Sequence, residues 1–144
     1  MLKFTLIAAL TVPLLIGCAT ASSSNQEPKG AAAFVDDPRL GEQVNKICFT
    51  QSINGFSGAT KDTVILSKSV NDDYLVEVTG GCYNLRSAGS IGLDTNLSCL
   101  SKFDNLVVSE SAFSLKDSTG IGPQRCAIKA IYKWNKDAAK ADVE

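Results

Sequence analysis

The 144-residue sequence contains no histidine. Histidine is the usual general base near neutral pH, the usual partner of serine and cysteine nucleophiles, and the commonest metal ligand, so these familiar sites are excluded. The sequence also has no run of Lys or Arg. In total, 14 basic residues stand against 15 acidic ones. Nucleic-acid binding depends on a concentrated basic surface, and we therefore expect no nucleic-acid partner.

Without histidine, hydrolytic chemistry would need two converging carboxylates. The candidates are Asp36, Asp37, Asp72, Asp73, Asp94 and Asp104. The first four occur as pairs in turn-like segments beside Pro or Asn, where carboxylates ordinarily cap the backbone. We assign no catalytic residue, and a histidine-free hydrolase remains an alternative.

Motifs for cofactors and metals are missing as well. The segments "TGGC" and "TGIGP" contain glycines but lack the spacing of nucleotide-binding loops. The "NDD" at 71–73 has no glutamate where a calcium loop would end. We expect no cofactor and no bound metal.

Long apolar runs are absent too, and the longest, residues 4–16, covers thirteen positions. A helix of that length spans roughly 20 Å, short of the roughly 30 Å hydrocarbon core of a bilayer. The run follows a short basic start, which predicts a signal peptide over residues 1–17. Its last residues and the next one, Leu15, Ile16, Gly17 and Cys18, resemble the lipobox of bacterial lipoproteins.

That resemblance implies that Cys18 is the lipidation site and the first residue of the mature chain. Two or three acyl chains, such as palmitate, hold a protein on a membrane surface without spanning it. Ala19 stands where inner-membrane retention usually goes with Asp. The expected location is therefore the periplasmic face of the outer membrane.

Lipidation of Cys18 leaves four cysteines, Cys48, Cys82, Cys99 and Cys126. An even number in an exported protein predicts two disulfides, with three connectivities open. We favour Cys82 with Cys99, which are seventeen residues apart, and Cys48 with Cys126. Structural zinc sites usually draw on close cysteine pairs and histidines, both of which are missing, so disulfides are favoured over zinc.

The mature chain is long enough for one domain. Residues 18–35 are small and polar, which indicates a lipidated flexible tether. Residues 36–134 form the predicted disulfide-stabilised β domain, and the charged residues 135–144 form a tail that we expect to be frayed.

Five segments of the domain show the alternation or β-rich composition of strands: "ICFTQSI", "TVILSK", "YLVEVT", "LVVSESAFSL" and "RCAIKAIYKW". The second and third are separated by the turn-rich "SVNDD", which predicts a hairpin. Three-residue spacing in "GGCYNLRSAGSIGL" predicts a short helix between strands 3 and 4. The expected fold is mostly β, with α+β as an alternative: a small antiparallel five-stranded sheet or barrel, an oligonucleotide/oligosaccharide-binding barrel being one candidate.

Aromatic residues of the last segment are the candidate ligand contacts. By a period of two, Cys126, Ile128, Ala130, Tyr132 and Trp134 share one face. Tyr132 and Trp134 could face a sugar or a peptide, while core packing is the alternative.

The segments "ICF", "GGCYNL", "SCL" and "RCAI" resemble, in order and spacing, a four-cysteine domain of unknown function found in small proteobacterial lipoproteins. The likeness covers roughly residues 47–132. The matching positions are Ile47, Cys48, Phe49, Tyr74, Gly81, Cys82, Leu85, Cys99, Cys126 and Ile128.

The resemblance implies a disulfide-stabilised envelope domain and supplies no catalytic residue. We expect a non-enzymatic binding or structural module, anchored to the membrane through Cys18, with an envelope protein or glycan as partner. An inhibitor or accessory of an exported enzyme is an alternative, for which "STGIGP" at 118–123 would have to be a rigid exposed loop.

Overall fold

A computed structural model describes residues 27–95, 98–111 and 122–138. The predicted signal peptide, Cys18, most of the predicted tether, residues 118–121 and residues 139–144 of the tail lie outside this range. Within it, no helix is both long and apolar enough to cross a membrane.

Strands account for nearly all of the regular secondary structure in the described chain. Its strands are β1 (Leu40–Val44), β2 (Lys46–Cys48), β3 (Gly55–Ser57), β4 (Thr63–Ser69), β5 (Asp72–Val78), β6 (Ser90–Asp94), β7 (Cys99–Ser101), β8 (Asn105–Ser109) and β9 (Gln124–Trp134). The helical elements that lie wholly within the described ranges are two 3₁₀ helices, Gly30–Phe34 and Thr50–Ser52. The predicted mostly β fold with two disulfides is confirmed.

The main sheet curls into a nearly closed antiparallel barrel with the strand order β3-β4-β5-β9-β8-β6. The eleven-residue β9 organises it, because β5 lies along one edge while β8 and then β1 follow each other along the opposite edge. The β4–β5 hairpin confirms the sequence prediction. The short strands β2 and β7 pair with each other in a separate antiparallel ladder.

The strand count and the helix position differ from the prediction. The predicted first strand is divided, because Phe49 has a φ of 59° and the chain then turns through the second 3₁₀ helix. Between β5 and β6, the predicted helix is replaced by turns, in which Leu85 N–H bonds Cys82 O and Ala88 N–H bonds Leu85 O. Leu85 is fully buried and anchors this segment to the core.

The two faces of the sheet exchange roles along β9. Glu77 pairs with Ala130 but Val78 pairs with Ile128, so Lys129 is the extra residue of a β-bulge. Ile128 lies in the barrel core before the bulge, whereas Trp134 lies in an outer cluster after it. The prediction of one shared face from 126 to 134 is therefore wrong, because a bulge shifts a two-residue period by one.

The outer cluster joins the N-terminal 3₁₀ helix to the barrel. Its members are Ala31, Phe34, Leu40, Ile65, Leu75, Tyr132 and Trp134. Ala31 is buried, so residues 30–34 belong to the folded domain rather than to the tether that was predicted to extend to residue 35. Apolar contacts with the outer face of the sheet hold residues 30–34 in place. The small residues of this segment did not by themselves predict that it would pack there.

The disulfides join Cys48 to Cys99 and Cys82 to Cys126, so the favoured pairing is wrong. Cys48 and Cys99 are opposite each other in the β2–β7 ladder, with Cα atoms 3.9 Å apart. The loops span 51 and 44 residues, and chain entropy assigns each bridge about 4 kcal/mol. Strand pairing decides which cysteines meet, and spacing along the chain does not reveal it.

Candidate functional site

The barrel is open between β3 and β6, the two ends of the strand order. Among the described residues, β3 pairs only with β4, and β6 pairs only with β8. A cleft of about 470 Å³ lies between the two strands. We call it the seam cleft; it is lined by residues 53–56, Leu66, residues 89–91 and Leu93.

The seam cleft has an apolar floor. Ile53, Phe56, Ile91 and Leu93 are half-buried and pack against the barrel core, and Leu66 is part of that core. Asn54 and Ser90 contribute polar side chains, and none of the described lining residues is charged. The site therefore suits an uncharged, partly apolar ligand.

In the part of the chain that the structure describes, neither strand bordering the cleft has a second strand partner. An edge strand presents backbone N–H and C=O groups that can pair with an added strand. At the spacings of β-structure, one residue of an added strand fills roughly 160 Å³, so the cleft holds about three residues. Its dimensions and its hydrogen-bonding groups both match an extended polypeptide.

Two glycines shape the borders of the cleft. At Gly89 a Cβ would lie 2.3 Å from the backbone oxygen of Glu110, so only glycine allows the start of β6 to lie this close to the end of β8. At Gly55 a Cβ would meet nothing within 4 Å. The space beside β3 is open, and β3 can accept a side chain at this position.

The family model that matches this chain covers residues 1–144, which include the seam cleft and all four disulfide-bonded cysteines. Its description is a family of unknown function, DUF6491. The chain belongs to DUF6491. Comparison with curated proteins gives no match, and comparison with solved structures gives none either.

Away from the cleft, this DUF6491 protein has a network of charges where β9 ends. Lys133 Nζ donates to Asp72 Oδ1 (2.8 Å) and to the Tyr74 hydroxyl (2.7 Å), and Lys68 Nζ lies 3.1 Å from Asp72 Oδ2. Desolvation raises the pKa of Asp72, but the hydrogen bonds from Lys133, Tyr74 and Lys68 outweigh it and lower this pKa to about 2. The hydrogen bond to Asp72 likewise raises the pKa of Lys133 above its ordinary value. A protonated lysine is no nucleophile, and the network joins the β4–β5 hairpin to β9.

The carboxylates considered for hydrolysis are held in separate places in the DUF6491 fold. Asp37 pairs with Arg39 (2.6 Å), and the hydrogen bond from that side chain lowers the pKa of Asp37 to about 2. Asp94 lies 3.2 Å from Arg125, and Asp104 accepts a bond from the Ser101 N–H (2.7 Å). Asp73 is buried 3.8 Å from Lys136, and Asp36 is exposed.

Within the described ranges, the chain has no group of three or more Cys, Asp or Glu that could hold a metal.

The aromatic pair predicted to face a ligand lies elsewhere in this DUF6491 domain. Trp134 is 6% exposed; its ring is perpendicular to that of Phe34, and the Arg39 guanidinium lies 4.9 Å from its ring centroid. Tyr132 is half-buried in the same outer cluster. Trp134 is therefore a packing residue, which corrects the ligand-facing prediction, and Tyr132 joins it on the outer face.

The residues of the seam cleft were missed by sequence reasoning. The "GFS" of β3 is only three residues long, and the segment predicted to form a short helix, "GGCYNLRSAGSIGL", includes most of β6. The one available signal was glycine on both sides of a short apolar segment in "SINGFSG" and "AGSIGL". Glycine in a strand indicates close backbone approach.

Proposed function

We propose that this protein is a lipid-anchored module of the cell envelope, which binds an extended protein segment in the seam cleft. The observation that carries the proposal is that β3 and β6, which have no second strand partner within the described residues, face each other across an uncharged, apolar-floored cleft. A bound segment would pair with an edge and continue the sheet, as peptides do in β-strand addition.

The anchor is supported by the leader and by the cysteines. Leu15, Ile16, Gly17 and Cys18 follow the order of a lipobox, and Ala19 favours the periplasmic face of the outer membrane. The remaining four cysteines are all paired as disulfides. Disulfides of this kind persist in oxidising compartments such as the periplasm, which agrees with export.

An extended peptide fits the cleft better than a glycan does. Sugar sites typically stack aromatic rings on the ligand, and Phe56 is the one aromatic residue among the described lining residues. In an added strand, alternate side chains point to opposite faces. We therefore expect a segment whose alternate residues are apolar, directed at Phe56, Leu66 and Ile91.

The anchor is tested by the intact mass of the protein extracted from membranes, with and without reductant. The expected mass includes a diacylglyceryl group and an acyl chain on Cys18, and it rises by four hydrogens when the two disulfides are reduced. An unmodified Cys18 would overturn the anchoring part of the proposal while leaving the cleft part to its own test.

The cleft is tested with a photoreactive amino acid placed at position 55, where the structure has open space. The matched control carries the same group at Gln43, an exposed position on β1 that does not line the cleft. In intact envelopes we expect a discrete protein adduct from position 55 that is absent from position 43.

A second pair of variants separates specific binding from chance contact. Ile91→Glu puts a charge into the cleft and should abolish the adduct, whereas Val107→Glu puts the same charge at a half-buried position of β8 outside the cleft and should leave the adduct unchanged. Equal adducts from both labelled positions, or an adduct that survives Ile91→Glu in the folded protein, would overturn the proposal.

A further inference from the structure

The surface where the chain leaves for the membrane carries a concentration of unpaired cations. We define the tether face by Lys29, Lys61, Tyr83 and Arg86, all of which are exposed. Lys29, Lys61 and Arg86 line an open cleft of about 490 Å³, and Glu27, the first described residue, lies at its edge. The tether face therefore surrounds the point at which the predicted tether joins the domain.

Most other cations of the described chain are neutralised. Ion pairs with carboxylates are formed by Arg39, Lys68, Arg125, Lys129, Lys133 and Lys136. Lys29, Lys61 and Arg86 form no such pair with a described carboxylate, although Glu27 and Asp62 line the same cleft. Counted over its described lining residues, the cleft holds an excess of one positive charge.

An exposed aromatic ring lies beside these cations. Tyr83 is 84% exposed, and it lines a small cleft of about 160 Å³ together with Lys61 and Asp62. Its neighbour Cys82 is buried and bonded to Cys126, which fixes the backbone that presents the ring. Tyr and basic residues together are typical of surfaces at the membrane–water boundary.

The chain between the lipid site and the domain is short. Glu27 is nine positions after Cys18, and a fully extended chain of nine steps reaches about 32 Å at most. A lipid on Cys18 therefore keeps the tether face within one domain diameter of the bilayer.

We propose that the tether face docks on the phospholipid surface that holds the Cys18 lipid, with Lys29, Lys61 and Arg86 donating hydrogen bonds to headgroup phosphates. Tyr83 places its ring at the boundary between headgroups and acyl chains. This docking rests on the lipid anchor of the proposed function. Among the described residues, the tether face and the seam cleft share no lining residue, so membrane contact leaves the seam open to a partner.

The test is lysine acetylation of the complete lipidated protein, read by mass spectrometry. Lys46 and Lys102 are the internal controls, because they are exposed, form no ion pair with a described carboxylate and do not line the tether face. In vesicles containing phosphatidylglycerol we expect Lys29 and Lys61 to react roughly fivefold more slowly than in detergent micelles, since each cation near an anionic surface contributes about that factor. Lys46 and Lys102 should react at equal rates in both.

Two matched variants and a control experiment with inorganic phosphate distinguish membrane docking from binding of a free anion. Arg86→Glu should restore much of the Lys61 reactivity in vesicles, while Lys102→Glu should not. Protection of Lys29 and Lys61 by inorganic phosphate in micelles would assign the face to a free anion and overturn membrane docking. Lys29 and Lys61 reacting as fast in vesicles as in micelles would also overturn it, and the intact mass shows separately whether the anchor was present.

Discussion

The indole of Trp134 meets the ring of Phe34 edge-on, with centroids 5.6 Å apart and planes at 89°. This contact covers the outer face of β9 with residues that precede the main sheet. It makes the N-terminal 3₁₀ helix a structural part of the barrel, and so fixes where the tether begins.

Removing the Phe34 ring should weaken the packing of the N-terminal 3₁₀ helix on the outer face of β9. Phe34→Ala is expected to lower the free energy of unfolding by about 1–3 kcal/mol, because the ring is half-buried. Trp134 is the only tryptophan, so its fluorescence reports the change directly, and we expect its emission to shift to longer wavelength. Phe103→Ala is the control, since that ring is 77% exposed and should leave both stability and emission unchanged.

Gly30 should be intolerant of any side chain. Its φ is +63°, and an added Cβ would lie 2.0 Å from Glu77 Oε1. Gly30→Ala should cost about 1–3 kcal/mol in urea denaturation, through backbone strain and displacement of the buried Glu77. Gly55→Ala is the matched control and should be neutral or slightly stabilising; an equal loss at both positions would contradict the local geometry.

Asp72 should make the protein sensitive to acid. Its folded pKa of about 2 is below the ordinary value of 3.8, so its contribution is present above pH 4 and is lost as pH falls through 2. With allowance for solvent screening, we expect roughly 1–2 kcal/mol from this group. Urea denaturation of Asp72→Asn between pH 2 and pH 6 should show a shallower pH dependence than the wild type; an unchanged slope would contradict the network around Lys133.

The two disulfides should differ in accessibility. Cys82 and Cys126 are each 3% exposed, whereas Cys48 and Cys99 are half-buried in the outlying β2–β7 ladder. Under mild reduction followed by alkylation, Cys48 and Cys99 should be labelled first. The labelled cysteines are identified by mass spectrometry. If Cys82 and Cys126 were labelled first, the barrel would open before the β2–β7 ladder, which would contradict this prediction.

Local patterns in the sequence predicted the β4–β5 hairpin and the strand at β9, because alternation and turn residues are contained within each segment. They failed where distant segments decide the outcome. The bulge at Lys129 places Tyr132 and Trp134 on the outer face. It arises from the pairing with β5, whose register on β9 shifts by one residue at this point. The pairing of Cys48 with Cys99 follows from the β2–β7 ladder. Each of these strands is only three residues long, too short for its sequence pattern to predict the ladder.

The seam cleft was also beyond sequence reasoning, since an unclosed barrel is a property of strand order. Neither Phe56 nor Ile91 signals that its strand lacks a second neighbour. The role of Asp37 was better predicted, because it accepts the Arg39 N–H and stabilises a turn, as the adjacent Pro38 indicated.

Backbone hydrogen exchange offers the sharpest view of the seam. The segment captured by the photoreactive group at position 55 would be synthesised and added to the lipidated protein. We expect slower amide exchange in Gly55–Ser57 and Ser90–Asp94, the two strand edges that a bound segment would cover, and no change in Leu40–Val44. Unchanged exchange in both β3 and β6, or slowing confined to β1, would contradict binding in the seam cleft.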